Sequence, residues 1–215
     1  MLKIRNQFQH QILMNLNFLM LKNAQNKFKN LNSKKMKILK RVAFVLLFVL
    51  AIVLVAGLFI EKEYTIAKEV TINKPNDSVY KYIKYLKNQE FYSVWNRKDP
   101  KSIKTYSGTD ATVGFISSFD SQDPNIGAGA QEITKIVENK RFDMDIRFKR
   151  PMETTCTAFM STEKFSENAT KVKWSFSGRF DYPANALMPL IGIEKMLGND
   201  MQKSLEDLKV ILENK

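Results

Sequence analysis

The sequence predicts an α+β domain, an antiparallel sheet with its helices gathered on one face, behind one long apolar segment. Three observations carry that reading. From residue 102 to residue 181 the chain runs as short segments that alternate apolar and polar side chains, the period of a strand with one buried face. Near the end, Met201, Leu205, Leu208 and Leu212 recur at helical spacing and form the apolar stripe of a long helix. The third observation is the run Val42 to Ile60, 19 residues without a charged or strongly polar side chain.

At about 1.5 Å per residue that run makes roughly 28 Å of helix, close to the ~30 Å hydrocarbon core of a bilayer. A transmembrane helix over residues 42–60 is therefore expected. A cleaved export signal is the alternative, but its apolar core would extend only about 7 to 15 residues, and Ala56 and Gly57 offer a weak cut site. A buried core helix is the third reading, and the lack of any polar stripe stands against it. The formal net charge of +12 is unevenly spread: residues 1–41 hold ten Lys or Arg and no Asp or Glu, while residues 61–215 hold the other 24 basic residues and all 22 acidic ones. A basic flank of this kind stays in the cytoplasm, which puts residues 61–215 on the far side of the cytoplasmic membrane as a single-pass protein. The nearly neutral soluble part has no one-signed field with which to hold phosphates, so nucleic acid is not expected as a partner. Residues 1–35 read as a poorly ordered basic tail, or as untranslated sequence should Met36 be the start. Phe8, Ile12, Leu16 and Leu19 would otherwise form the apolar stripe of a basic helix on a membrane surface.

After the anchor, Tyr64, Ile66, Val70 and Ile72 alternate on one face, interrupted by Lys68, and predict a strand. Pro75, Asn76, Asp77 and Ser78 then supply helix-start chemistry, followed by Val79, Ile83 and Leu86 at helical spacing. A second short helix through "NQEFYSVWNR" ends at Pro100. "SIKTYSG" and "TVGFISSFDS", the latter with Val113, Phe115 and Phe119, predict strands, as does "AQEITKIVE" before the reversal at Asn139 and Lys140. "RFDMDIRF" is the clearest case, with Phe142, Met144, Ile146 and Phe148 on one face and Arg141, Asp143, Asp145 and Arg147 on the other. "TTCTAFMSTEKF" and "TKVKWSFSGRF" follow, joined by the turn "SENA", with Val172, Trp174, Phe176 and Phe180 on one face of the second. The terminal helix is expected to be capped by Asn199 or Asp200, or to begin near Ala184 with bends at Pro189, Gly192 or Gly198.

This order of elements, with "VTINKPNDSVYKYI", "WNRKDP", "YSGTDATVGF", "GAGAQEITKI", "VKWSFSG" and "GNDMQKSLEDLK", resembles the START-like helix-grip superfamily in a membrane-anchored form. Its members are also called SRPBCC or polyketide cyclase/dehydratase-like proteins. The resemblance covers residues 64–213. It implies a curved antiparallel sheet wrapped around a long C-terminal helix, with a cavity for an apolar ligand between them. It implies a fold and a pocket, not a reaction.

Little catalytic chemistry is on offer. The single histidine, His10, precedes the anchor, so residues 61–215 have no imidazole for a nucleophile pair or for zinc or iron. Cys156 is the lone cysteine, which excludes an intrachain disulfide and a thiolate metal site, and it reads as a small packing residue. Gly127 and Gly129 precede a strand instead of opening a helix, so they predict a bulge or bend and not a phosphate loop. "NDS" at Asn76 and "NAT" at Asn168 fit the N-glycosylation pattern, which matters only in a eukaryotic secretory pathway. Asp143 and Asp145 share a face with arginines and read as a solvated outer face. Glu132 is the candidate acid or base, should its face point inward.

Candidates to line a cavity are Trp95, at its mouth, with Phe115, Phe142, Met144 and Phe148. Trp174, Phe176, Met196 and Met201 complete the set, and each could equally fill a dry core. The expectation is a basic cytoplasmic tail (1–41), a transmembrane helix (42–60) and a binding domain (61–215) for a hydrophobic or lipid-like small molecule, with no cofactor and no metal. The alternative is a cyclase- or dehydratase-type enzyme using an inward carboxylate, and a third reading is an interaction module whose interior is filled.

Overall fold

The computed structural model describes residues 2–187, 189 and 192–214, with side chains placed at Met14, at residues 19–23 and from residue 35 onward. The side chains of Phe8, His10, Ile12 and Leu16 lie outside the described residues. The chain divides into two compact units. The first is a single helix, α1 (Leu2–Gly57), within which Lys35–Gly57 is long and apolar enough to cross a membrane by length and composition.

The second unit, from Gly57 onward, is built on a seven-stranded sheet of order β1-β7-β6-β5-β4-β3-β2. Its strands are β1 (Glu63–Ile72), β2 (Ile103–Ser107), β3 (Ile116–Asp120), β4 (Ala128–Val137), β5 (Arg141–Arg150), β6 (Thr154–Ser166) and β7 (Ala169–Arg179). All neighbours are antiparallel. Short helices α2 (Asn76–Ile83), α3 (Gln89–Tyr92) and α4 (Val94–Lys98) carry the chain from edge strand β1 to the opposite edge, β2. Successive hairpins then return it until β7 pairs with β1, so that the first and last strands adjoin.

The final helix, α5 (Ile193–Glu213), buries Gly198, Met201, Ser204, Leu205, Leu208 and Leu212, one stripe at helical spacing. The sheet turns toward it the rows that the alternation marks out: Ile66 and Ile72 of β1, Val172 and Trp174 of β7, and Phe142, Met144 and Ile146 of β5 all belong to the core. Glycine permits the closest approach. A Cβ at Gly198 would lie 2.9 Å from Lys68 Cε, so the bare backbone there lets the stem of the one polar residue in the β1 row lie across the helix. At the far end, Asn73 N donates to Glu213 Oε1 at 2.7 Å and Lys209 Nζ to Thr71 O at 2.5 Å, fastening α5 to the end of β1.

Local details depart from the sequence reading for identifiable reasons. The terminal helix starts at Ile193, directly after Gly192 in the left-handed region (φ 64°), and runs unbroken through Gly198. Asn199 and Asp200 therefore sit inside it, and Asp200 pairs with Lys98 of α4 at 2.7 Å instead of capping. Asn76 does not cap α2 with its side chain: Ser78 N and Val79 N donate to Pro75 O, and Asn76 Nδ2 donates to Asn139 O, bracing the β4–β5 reversal. Gly114 (φ 87°) breaks the strand expected from residue 112, leaving Val113 exposed and β3 starting only at Ile116.

Register shifts at Ala128/Gly129 and Ile133/Lys135 bend β4 around α5. Gly127 enters the first of these at φ 70°, and a Cβ there would collide with the carbonyl oxygen of Arg150. Gly127→Ala is therefore expected to destabilise the domain by about 2 kcal/mol or more, measured by chemical denaturation; an unchanged midpoint would mean that the bulge is not held as described.

Candidate functional site

The interior between sheet and helix is filled at one end and hollow at the other. At the filled end, Val79, Tyr80 and Ile83 of α2 pack with Phe142, Met144, Met160, Val172, Leu205 and Leu208, all of them essentially inaccessible. Further along the same rows the large side chains draw apart. There a partly open cavity of about 150 Å³ lies among Ile146 and Phe148 of β5, Trp174 and Phe176 of β7, and Leu197 and Met201 of α5. Phe119 of β3 closes one side, edge-on to Phe148 with ring centroids 6.1 Å apart. Gly129, opposite Phe148 in the ladder, makes that pair feasible, since a Cβ there would come within 3.0 Å of the Phe119 ring.

The segment α3–α4 supplies the remaining wall, with Gln89, Ser93, Trp95 and Asn96. Trp95 stands edge-on to Trp174 at 5.8 Å. Val94 N donates to Ser204 Oγ at 3.0 Å, and Arg97 and Lys98 pair with Asp207 and Asp200, so α4 is held on α5. Ser102, Asn125, Ile126 and Gln131 complete the lining. Among the described residues that line it, none has an ionisable side chain.

Of the residues singled out from the sequence, Trp95, Phe148, Trp174, Phe176 and Met201 come together at this cavity. Phe142 and Met144 belong to the same row of β5 but lie at the filled end, 0% and 1% exposed. Phe115, in the loop before β3, stacks on Tyr106 at 6.1 Å, away from the cavity. Met196 is 58% exposed on the outer side of α5, one residue from Leu197, which does face the cavity. Glu132 lies on the outer face of β4, where its Oε2 accepts from Arg147 Nη2 at 2.7 Å; its neighbour Gln131 faces in. Phe119, Ile146 and Leu197 were legible as apolar positions, whereas the amides of Gln89, Asn96, Asn125 and Gln131 carried no sequence signal.

The other reactive candidates are quiet. Burial pushes the Cys156 thiol up, away from thiolate formation, and pushes the neighbouring Tyr64 phenol up to about 12. Tyr92, fully buried behind Trp174, is likewise held protonated by burial, and its O–H points to Met160 Sδ at 3.6 Å. Among the described residues, no group of three or more His, Cys, Asp or Glu is placed to hold a metal ion.

No family model and no curated protein matches the chain. Solved structures do. A protein of Mesorhizobium loti aligns with a TM-score of 0.52 at 12% identity, over 71% of this chain and 98% of its own. A protein of Nitrosospira multiformis aligns with a TM-score of 0.50 at 12% identity, over 68% and 94%. The Aha1 dimer of Colwellia psychrerythraea is 19% identical over 70% and 96%, with a TM-score of 0.48. At such identities the likeness speaks for fold alone, and it agrees with the seven-stranded antiparallel sheet and long terminal helix: the domain after α1 has the helix-grip fold.

Proposed function

We propose that this domain is a non-enzymatic binding module that holds a small hydrophobic molecule between its sheet and α5. We further propose that residues 42–60 tether it as a single-pass protein of the cytoplasmic membrane, N-terminus inside and domain outside. The observation that carries the binding reading is the hollow end of the core, walled by aromatic and aliphatic side chains and free of ionisable ones among the described residues. Acid–base catalysis requires a titratable group within reach of the substrate. Glu132, the carboxylate on which a cyclase or dehydratase reading depended, is paired with Arg147 on the opposite face. The tether is supported by the length of the apolar run, by the basic residues before it, and by the exposure of Phe44 and Leu46 at 71% and 65%, an arrangement suited to lipid and costly in water.

Both tryptophans of the chain, Trp95 and Trp174, stand in the cavity wall, so their fluorescence reports occupancy. A single-ring apolar probe is expected to quench it saturably, with an affinity constant between pH 5 and 9 because no lining group titrates. A non-saturable response, or an affinity that follows a titration curve, would count against the reading. For the tether, Glu167→Cys in the exposed β6–β7 turn gives a labelling site against a background in which Cys156 is buried. A membrane-impermeant maleimide should label intact spheroplasts; labelling only after lysis would place the domain in the cytosol.

A further inference from the structure

Gln89 is the cavity residue with an unspent hydrogen-bonding atom. It is 3% exposed, and its Nε2 has no hydrogen-bond partner. Its backbone is engaged, with O accepting from Ser93 N at 2.9 Å, so the side chain is held in the wall by a helical turn. A buried amide donor left unpaired is costly, and the cost is removed when an acceptor arrives. Beyond Gln89 lies a polar recess of about 20 Å³ that shares Gln89, Asn96 and Gln131 with the cavity and adds Glu90, Lys104 and Tyr106. Its charges are matched to each other: Lys104 Nζ lies 3.4 Å from Glu90 Oε1, and the Tyr106 O–H donates to the same oxygen. The cavity therefore meets neutral amides at its polar end and no unpaired cation.

We infer that the ligand is a neutral molecule, about one ring with a short substituent in size, whose carbonyl or other neutral oxygen accepts from Gln89 Nε2 as the amide, closed off in the empty protein, turns into the cavity, while Phe148, Trp174 and Phe176 enclose its apolar body. This rests on the reading that the cavity binds a small molecule at all. The size follows from the volume, since an apolar cavity of ~150 Å³ accommodates benzene; a diacyl lipid exceeds it. The neutrality follows from desolvation: a carboxylate would leave water for a site with no free positive charge, and neutral amide donors do not offset that loss. The oxygen follows from Gln89, which a pure hydrocarbon leaves unpaired.

The test uses the full-length chain in lipid nanodiscs, titrated at neutral pH with propylbenzene, propiophenone and 3-phenylpropanoate. The tryptophan signal is read after correction for partition into empty discs. Propiophenone is expected to bind about tenfold more tightly than propylbenzene, the effect of one net hydrogen bond, and the carboxylate more weakly than either. Gln89→Met, similar in volume, should close the gap between ketone and hydrocarbon, so that the two bind with equal affinity. Equal binding of ketone and hydrocarbon in the unsubstituted chain, which needs no variant to fold, would overturn the assignment while leaving a binding cavity; so would tightest binding of the carboxylate. Absence of a saturable response to all three would overturn both the assignment and the binding reading beneath it.

Discussion

Leu197→Trp is expected to abolish ligand binding while leaving the domain folded. Leu197 is half-buried on the first turns of α5 and faces the hollow end of the core. An indole there has empty space to enter, so the usual overpacking cost of about 1–3 kcal/mol is largely avoided. The ligand then has to compete with a covalently attached ring. Affinity should fall by at least about a hundredfold, on the scale of the apolar area that a ring-sized ligand buries, with the melting temperature within ~3 °C of the parent. Leu205→Trp is the matched control. Leu205 is wholly buried at the filled end, where the same added volume has no space to occupy, and the domain should lose stability or fail to fold. If both variants behaved alike, the division of the core into filled and hollow ends would be wrong.

Trp174→Ala should be the most damaging single truncation in the cavity wall. Trp174 lies in β7 opposite Met160 of β6 and Lys68 of β1, and its ring stands edge-on to Tyr92 at 6.4 Å and to Trp95 at 5.8 Å. It spans the boundary between the two ends, so its loss joins the cavity to the packed region and withdraws support from α4. Removing so large a buried side chain costs about 3–5 kcal/mol, which for a domain of this size lowers the melting temperature by about 10 °C. Trp95→Ala, at a half-buried position, should cost about 1 kcal/mol and act mainly by opening the mouth. Thermal melts followed by circular dichroism separate the two; a Trp174→Ala variant as stable as Trp95→Ala would contradict this role.

The fold was legible because its information is periodic. Alternation in "RFDMDIRF" and "TKVKWSFSGRF" assigns each side chain to a face, and the spacing of Met201, Leu205, Leu208 and Leu212 does the same for α5. Depth along the sheet is not periodic. Phe142, Met144, Ile146 and Phe148 look equivalent in sequence, yet the first two lie at the end that α2 fills and the last two line the cavity, which α3–α4 walls without filling. Met196 is ambiguous in sequence because a bend at Gly198 would free its angle from the stripe; the helix is continuous there, which puts Met196, five residues before Met201, roughly 140° from it and on the exposed side. Polar lining is the hardest to foresee. Gln89 and Gln131 are ordinary surface residue types, and only burial makes their amides chemically informative. Glu132 takes the outward face because β4 is in continuous register from Gly129 to Ile133, so Gln131 shares the inward face with the buried Ile133.

The most direct test of the central claim, that the hollow end exists to hold a small molecule, is native mass spectrometry of the full-length chain purified from cells in lipid nanodiscs and released in the gas phase. The account predicts a one-to-one adduct with the mass of a small neutral molecule, absent from Leu197→Trp prepared in the same way. A bare chain in repeated preparations, with no adduct formed on exposure to a library of neutral single-ring compounds, would contradict it.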